Sequence, residues 1–208
     1  MPPTLPEDSE QKLPVMEQFY TIQGEGVYAG FPAYFVRLGG CDVGCVWCDV
    51  KESWDATKHP LVKIGDIINE VKNSGAPICV ITGGEPAMYD LTLLTEELKN
   101  AGIRTHIETS AAYAVKGHFD WICISPKKFK FPLESEMGKA DELKIIVFNK
   151  SDFEWAETWA KLCKPSCRLL LQAEWDRRDV VTPLIVDYVK AYPQWSISVQ
   201  THKYLGVP

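Results

Sequence analysis

Residues 33–49 read AYFVRLGGCDVGCVWCD. The first six, aromatic and β-branched around one arginine, predict a buried strand, and Gly39 and Gly40 then open a loop that carries Cys41, Cys45 and Cys48. Three thiols spaced CxxxCxxC in one loop can turn together onto a soft metal centre. A zinc site and plain burial compete with that reading. Structural zinc wants a closed set of four ligands, usually from two CxxC units, and the nearest histidine here is His59. A 4Fe-4S cubane on three cysteines leaves one iron with an open position, free for a substrate or cofactor.

Outward from this stretch the strand signal recurs at 77–81, 103–107, 120–124, 143–148, 168–172 and 195–199, several of them continuous apolar runs. Helical spacing fills the gaps. In 61–73 it falls on Leu61, Ile64, Ile67, Ile68 and Val71; 91–101 stops before Gly102; 151–162 starts on Ser151 as N-cap; 179–192 must hold Pro183 in its first turn or at its start. Alternating strand and helix predicts an α/β fold with a parallel sheet, open or curled into part of a barrel. About six βα units fall short of the eight of a full barrel, so the expectation is an incomplete TIM-like barrel. Residues 1–13 lack apolar periodicity and read as a loose tail, leaving 14–208 as one domain.

The totals narrow the function. With 208 residues and 46% hydrophobic content, the chain has enough for one good core. Its 22 basic and 28 acidic residues give a net charge of −6 with no long basic run, which argues against a nucleic-acid partner. No apolar stretch reaches 18 residues, and the opening MPPTLPEDSEQK is proline-rich and acidic, so no membrane partner is expected and the cytoplasm is the default compartment. Seven cysteines with three crowded together are no disulfide framework. Cys79, Cys123, Cys163 and Cys167 read as structural, as do His59, His106 and His118; the two thiols of CKPSC cannot hold a cubane alone.

Chemistry-bearing motifs follow the strands. TGGEP (82–86), ETS (108–110), SPK (125–127) and QTHK (200–203) each lie at a strand's C-terminal end, the edge where parallel βα folds build their active sites. One shared site with a small-molecule partner follows. The basic KKFKF that continues SPK reads as a solvated loop.

The CxxxCxxC loop, Trp47 before its last cysteine, and the glycine-rich GGE of TGGEP one strand later resemble the radical S-adenosylmethionine (SAM) superfamily. With FYTIQGEGVYAG upstream, ETS, SPK and the closing QTHKYLGVP, the chain resembles the 7-carboxy-7-deazaguanine synthase family of the queuosine pathway from about residue 16 onward. The fold implied is a radical SAM core, reduced in size. The resemblance implies a 4Fe-4S cluster on Cys41, Cys45 and Cys48, and SAM held by Trp47, Cys48, Asp49, Gly84, Glu85, Ser125, Pro126 and Lys127. Glycines let main chain approach the ligand, and Glu85 can accept from its ammonium. For the substrate, 6-carboxy-5,6,7,8-tetrahydropterin, it implies Ile22, Gln23, Gly24 and Glu25 on the pterin edge, the Arg37 fork on a carboxylate, and Thr82, His202 and Pro208 as further contacts.

The implied reaction is hydrogen abstraction from C6 of the pterin by a 5′-deoxyadenosyl radical, ring contraction, re-formation of SAM and loss of ammonia. A one-electron donor such as flavodoxin and a homodimer are implied too. The family's magnesium ligand is a threonine where this chain has Val50, whose side chain offers a hard cation no oxygen, so weak or absent magnesium dependence is expected. A radical SAM activase acting on a protein, and an iron-sulfur sensor or electron carrier, are the alternative functions. The pterin-type QGEG and QTHK motifs weigh against the first, and GGEP against the second.

Overall fold

In the computed structural model, residues 11–208 are described. The 33–38 run forms β2 (Pro32–Leu38), followed in parallel register by β4 (Ile78–Gly83), β5 (Arg104–Thr109), β6 (Trp121–Ile124), β7 (Glu142–Val147), β8 (Arg168–Ala173) and β9 (Trp195–Ser198). Each of the seven predicted strands is present. Two more, β1 (Lys12–Ile22) and β3 (Leu61–Lys63), pair antiparallel beside β2, so the sheet is mixed and runs β3-β1-β2-β4-β5-β6-β7-β8-β9.

Several expectations are corrected here. The loose tail ends sooner than residue 13: Leu13 and Val15 sit in the core, and residues 1–10 lie outside the described residues. The helix predicted over 61–73 is β3 followed by α1 (Ile64–Ser74), with Leu61 65% exposed. Ser151 does not cap α4 (Ser151–Ala160). Asn149 Oδ1 accepts from its N–H at 2.9 Å, and Asp152 Oδ2 accepts from the amides of Phe148 and Asn149, both at 2.8 Å. Pro183 is the sixth residue of α5 (Arg178–Ala191), past the first turn. Of the six connections between the parallel strands, the one joining β5 to β6 has no helix and the next has only the one-turn α3 (Glu134–Met137).

Strand parity decides which side chains meet the ligand space. Along β2 the residues Tyr34, Val36 and Leu38 pack against the amphipathic α1 and α2 (Thr92–Asn100), whose Ile64, Ile67, Ile68, Leu94 and Leu98 complete the cluster. Leu143, Ile145 and Val147 of β7 and Leu171 of β8 do the same beneath α4 and α5. The alternate positions point to the opposite face, and towards the strand ends they are polar. Register aligns Arg37 with Thr82, Glu108 with Cys123, and Ile146 with Gln172, which itself aligns with Ser198.

Candidate active site

That second face carries a cavity of about 260 Å³, with the cysteine loop at one side and the loop joining β1 to β2 at the other. Every residue assigned from sequence lines it except Pro126, which is buried and does not reach the wall. The GGE turn is pressed against the cysteine loop: Gly84 N donates to Leu38 O and Glu85 N to Gly40 O, both at 2.8 Å. A side chain at Gly84 would place its Cβ 2.2 Å from Gly40 O and 3.0 Å from Cys41 Cβ, so only glycine fits.

The expectation for Glu85 needs correcting. Its buried carboxylate accepts from Ala87 N at 3.0 Å, Ser110 N at 2.8 Å, and the hydroxyls of Thr109 and Ser110. Four donors saturate a carboxylate, leaving nothing for a ligand's ammonium. Glu85 therefore ties the end of β4 to the end of β5, and main chain is what this turn presents to the cavity.

Cys41, Cys45 and Cys48 are free thiols on one wall, packed with Val43 and Ala112. Burial raises Cys45 to about 11, with Lys127 opposing the rise and the other two thiols adding to it; burial raises Cys41 as well. Loading a metal there must displace protons. Among the described residues no three of His, Cys, Asp and Glu converge on one ion. Three soft donors from one loop, short of the four a structural zinc wants, would suit an iron-sulfur centre with an open iron position. Beside them Lys127 lies 5.6 Å from the centroid of Trp47 and donates to Ser125 Oγ at 2.5 Å.

At the other side α6 (Thr201–Leu205) docks on the loop that follows β1. Thr201 donates to Gly24 O from its amide at 2.8 Å and its hydroxyl at 2.9 Å. His202 lies so close that a Cβ at position 24 would sit 2.0 Å from its Nδ1, which explains the glycine in QGE. Thr21 Oγ1 donates to Pro208 O at 3.3 Å, and Lys203 reaches Asp49 at 3.3 Å. Arg37 lies over the Phe19 ring, its buried Nε 3.2 Å from Glu17 but not hydrogen-bonded among the described residues.

Sequence reasoning missed the residues between these walls. Lys144, Gln172, Glu174 and Trp175 all line the cavity, as do Glu108 and Gln200, which the sequence places on the shared rim within ETS and QTHK without a role of their own. Lys144 was the legible one, since a lysine inside the apolar run LKIIVF has to be accounted for if the strand is buried.

A cysteine-walled cavity at the strand ends of an α/β sheet is the arrangement of a radical SAM protein, and residues 35–125 match the Radical SAM superfamily model. The 7-carboxy-7-deazaguanine synthase of Flavobacterium psychrophilum is 52% identical over 95% of this chain and 94% of its own. That of Synechocystis is 46% identical over 93% of each. The crystal structure of QueE from Escherichia coli superposes with a TM-score of 0.84 at 32% identity, over 94% of this chain and 96% of that one. The chain belongs to the 7-carboxy-7-deazaguanine synthase family, and the protein is a radical SAM enzyme.

Proposed function

We propose that the protein converts 6-carboxy-5,6,7,8-tetrahydropterin to 7-carboxy-7-deazaguanine with loss of ammonia, using SAM catalytically, in queuosine or another 7-deazapurine pathway. The observation that carries this reading is the meeting of the QGE loop, α6 and the cysteine loop around one cavity. Cys41, Cys45 and Cys48 would hold the 4Fe-4S cluster. Trp47, Asp49, the Gly84 main chain, Ser125 and Lys127 would hold SAM beside it. When bound, the two cofactors supply the radical that takes a hydrogen atom from C6 of the pterin.

The chain's own part is to bind, orient and exclude water. Arg37 offers a guanidinium fork to the pterin carboxylate. Main-chain groups of Ile22, Gln23 and Gly24, with Glu25, read the donors and acceptors of the ring edge, and Thr82, His202 and Pro208 close around it. Magnesium does not fit this reading. Val50 lines the cavity without a side-chain oxygen, its carbonyl already accepts from Ser53 Oγ at 2.7 Å, and Asp49 faces Lys203.

The same reading makes the chain from β1 (Lys12–Ile22) onward one radical SAM domain with its sheet curled into an incomplete TIM-like barrel. It calls for a one-electron donor such as flavodoxin, a homodimer and a cytoplasmic setting; no helix among the described residues is long and apolar enough to cross a membrane. Anaerobically reconstituted, reduced protein should turn the carboxytetrahydropterin into a product with a 7-deazaguanine absorption spectrum. SAM cleavage without that product would favour an activase, and an intact cluster without SAM cleavage an electron carrier.

A further inference from the structure

Lys144 sits in the middle of β7, 3% exposed; its neighbours Leu143 and Ile145 pack against the helices, and its own side chain points to the cavity face. Its ammonium meets two carboxylates from other segments, Glu25 at 2.5 Å and Glu108 at 3.0 Å. Gln23 Nε2 donates to the other oxygen of Glu108 and Gln200 Nε2 to the other oxygen of Glu25, each at 2.8 Å. One cation therefore ties the loop after β1, the end of β5 and the entry to α6 to the centre of the sheet. Stability is a poor explanation. Taking an ammonium and its partner carboxylates out of water is costly, and apolar side chains in place of all three would often serve the fold as well.

All three line the cavity, but the two carboxylates are the more open, with Glu25 17% and Glu108 23% exposed. A carboxylate accepts about four hydrogen bonds, and Glu108 receives two. Acceptor capacity is left for the N–H donors of an aminopyrimidinone ring.

We infer that Lys144 is a positioning residue for the heterocyclic substrate: its ammonium fixes Glu25 and Glu108 as a matched pair of acceptors and locks the QGE loop at the distance the ring requires. The inference rests on the pterin reading of the substrate. Without Lys144 the carboxylates repel each other or take up a proton, and the loop loses its tie to β7. Among the described residues the hydrogen bonds of Lys144 go to Glu25 and Glu108 and to none of the residues assigned to SAM.

The test is steady-state kinetics on reconstituted holoenzyme, with pterin and SAM varied separately. Lys144→Met should raise KM for the carboxytetrahydropterin about tenfold or more while KM for SAM changes less than about twofold. Where Lys144→Met gives no folded holoenzyme, Lys144→Gln, which keeps a neutral donor in place, should show the same split. Wild-type KM for the pterin in either folded variant overturns the inference, and so does an equal rise in both constants. Failure of the functional reading would show separately, as wild-type holoenzyme that makes no 7-carboxy-7-deazaguanine.

Discussion

Val50 is one side chain in the cavity wall, and it changes what the site asks of a metal. Magnesium demands near-octahedral oxygen ligands and dehydrates reluctantly. A valine at this position, a carbonyl taken by Ser53 and an aspartate facing a lysine leave it little to bind. Turnover of the wild type should therefore change less than about twofold between excess magnesium and EDTA, while Val50→Thr should gain a magnesium stimulation that EDTA removes. A wild-type rate that collapses in EDTA would contradict this. Single residues also show the limits of motif reading. The three cysteines, Arg37 and Thr82 could be picked out as cavity-lining because they sit in or beside signatures; Glu85 lines the cavity too, but its carboxylate serves the turn. Gln172 was hidden because it comes from the end of a strand that looks almost wholly apolar, whereas Lys144 stood in plain view inside LKIIVF but belongs to no motif.

At the scale of elements, the parallel strands could be read because burial on both faces makes them continuous apolar runs. β1 could not. The pairing of β1 with β2 shifts register between Val15 and Glu17, and such a bulge breaks the period of two, leaving an irregular mixture of buried and exposed residues. With only three residues, β3 gives too little pattern to detect. Helix α6 has only five residues, yet it closes the cavity through Thr201, His202 and the turn at Gly206. Deleting residues 205–208 removes that turn and the contact of Pro208 with Thr21. KM for the pterin should then rise about tenfold or more with SAM cleavage retained; unchanged turnover would show that the segment is not part of the site.

Across the whole molecule, strand parity divides the sheet into a face that packs helices and a face that carries the cavity, and the buried charges of β7, Glu142 and Lys144, lie on the second. Burial alone would raise the Glu25 carboxyl, but the charge of Lys144 and hydrogen bonds from Lys144, Gln200 and Gln172 carry it down to about 2 from 4.5. A carboxyl depressed in the folded state stabilises above its unfolded value, and that stabilisation is lost as pH falls through the folded value. Burial opposes the charge on Lys144, yet Glu108 and Glu25 raise it well above 10.5, so it stays charged throughout this window. The stability gap between wild type and Lys144→Met, from urea unfolding of the metal-free proteins, should accordingly be smaller at pH 3 than at pH 7. A gap that does not narrow would mean Lys144 does not set the ionisation of Glu25.

The central claim concerns the cavity as one site, with a radical source at the cysteine wall and a pterin at the QGE wall. The most direct measurement is the ratio of 7-carboxy-7-deazaguanine formed to SAM consumed, by anaerobic reconstituted enzyme with a reductant and limiting SAM. Product should form well in excess of SAM consumed, because SAM is re-formed in each turnover. No product, or 5′-deoxyadenosine accumulating mole for mole with it, would contradict the account.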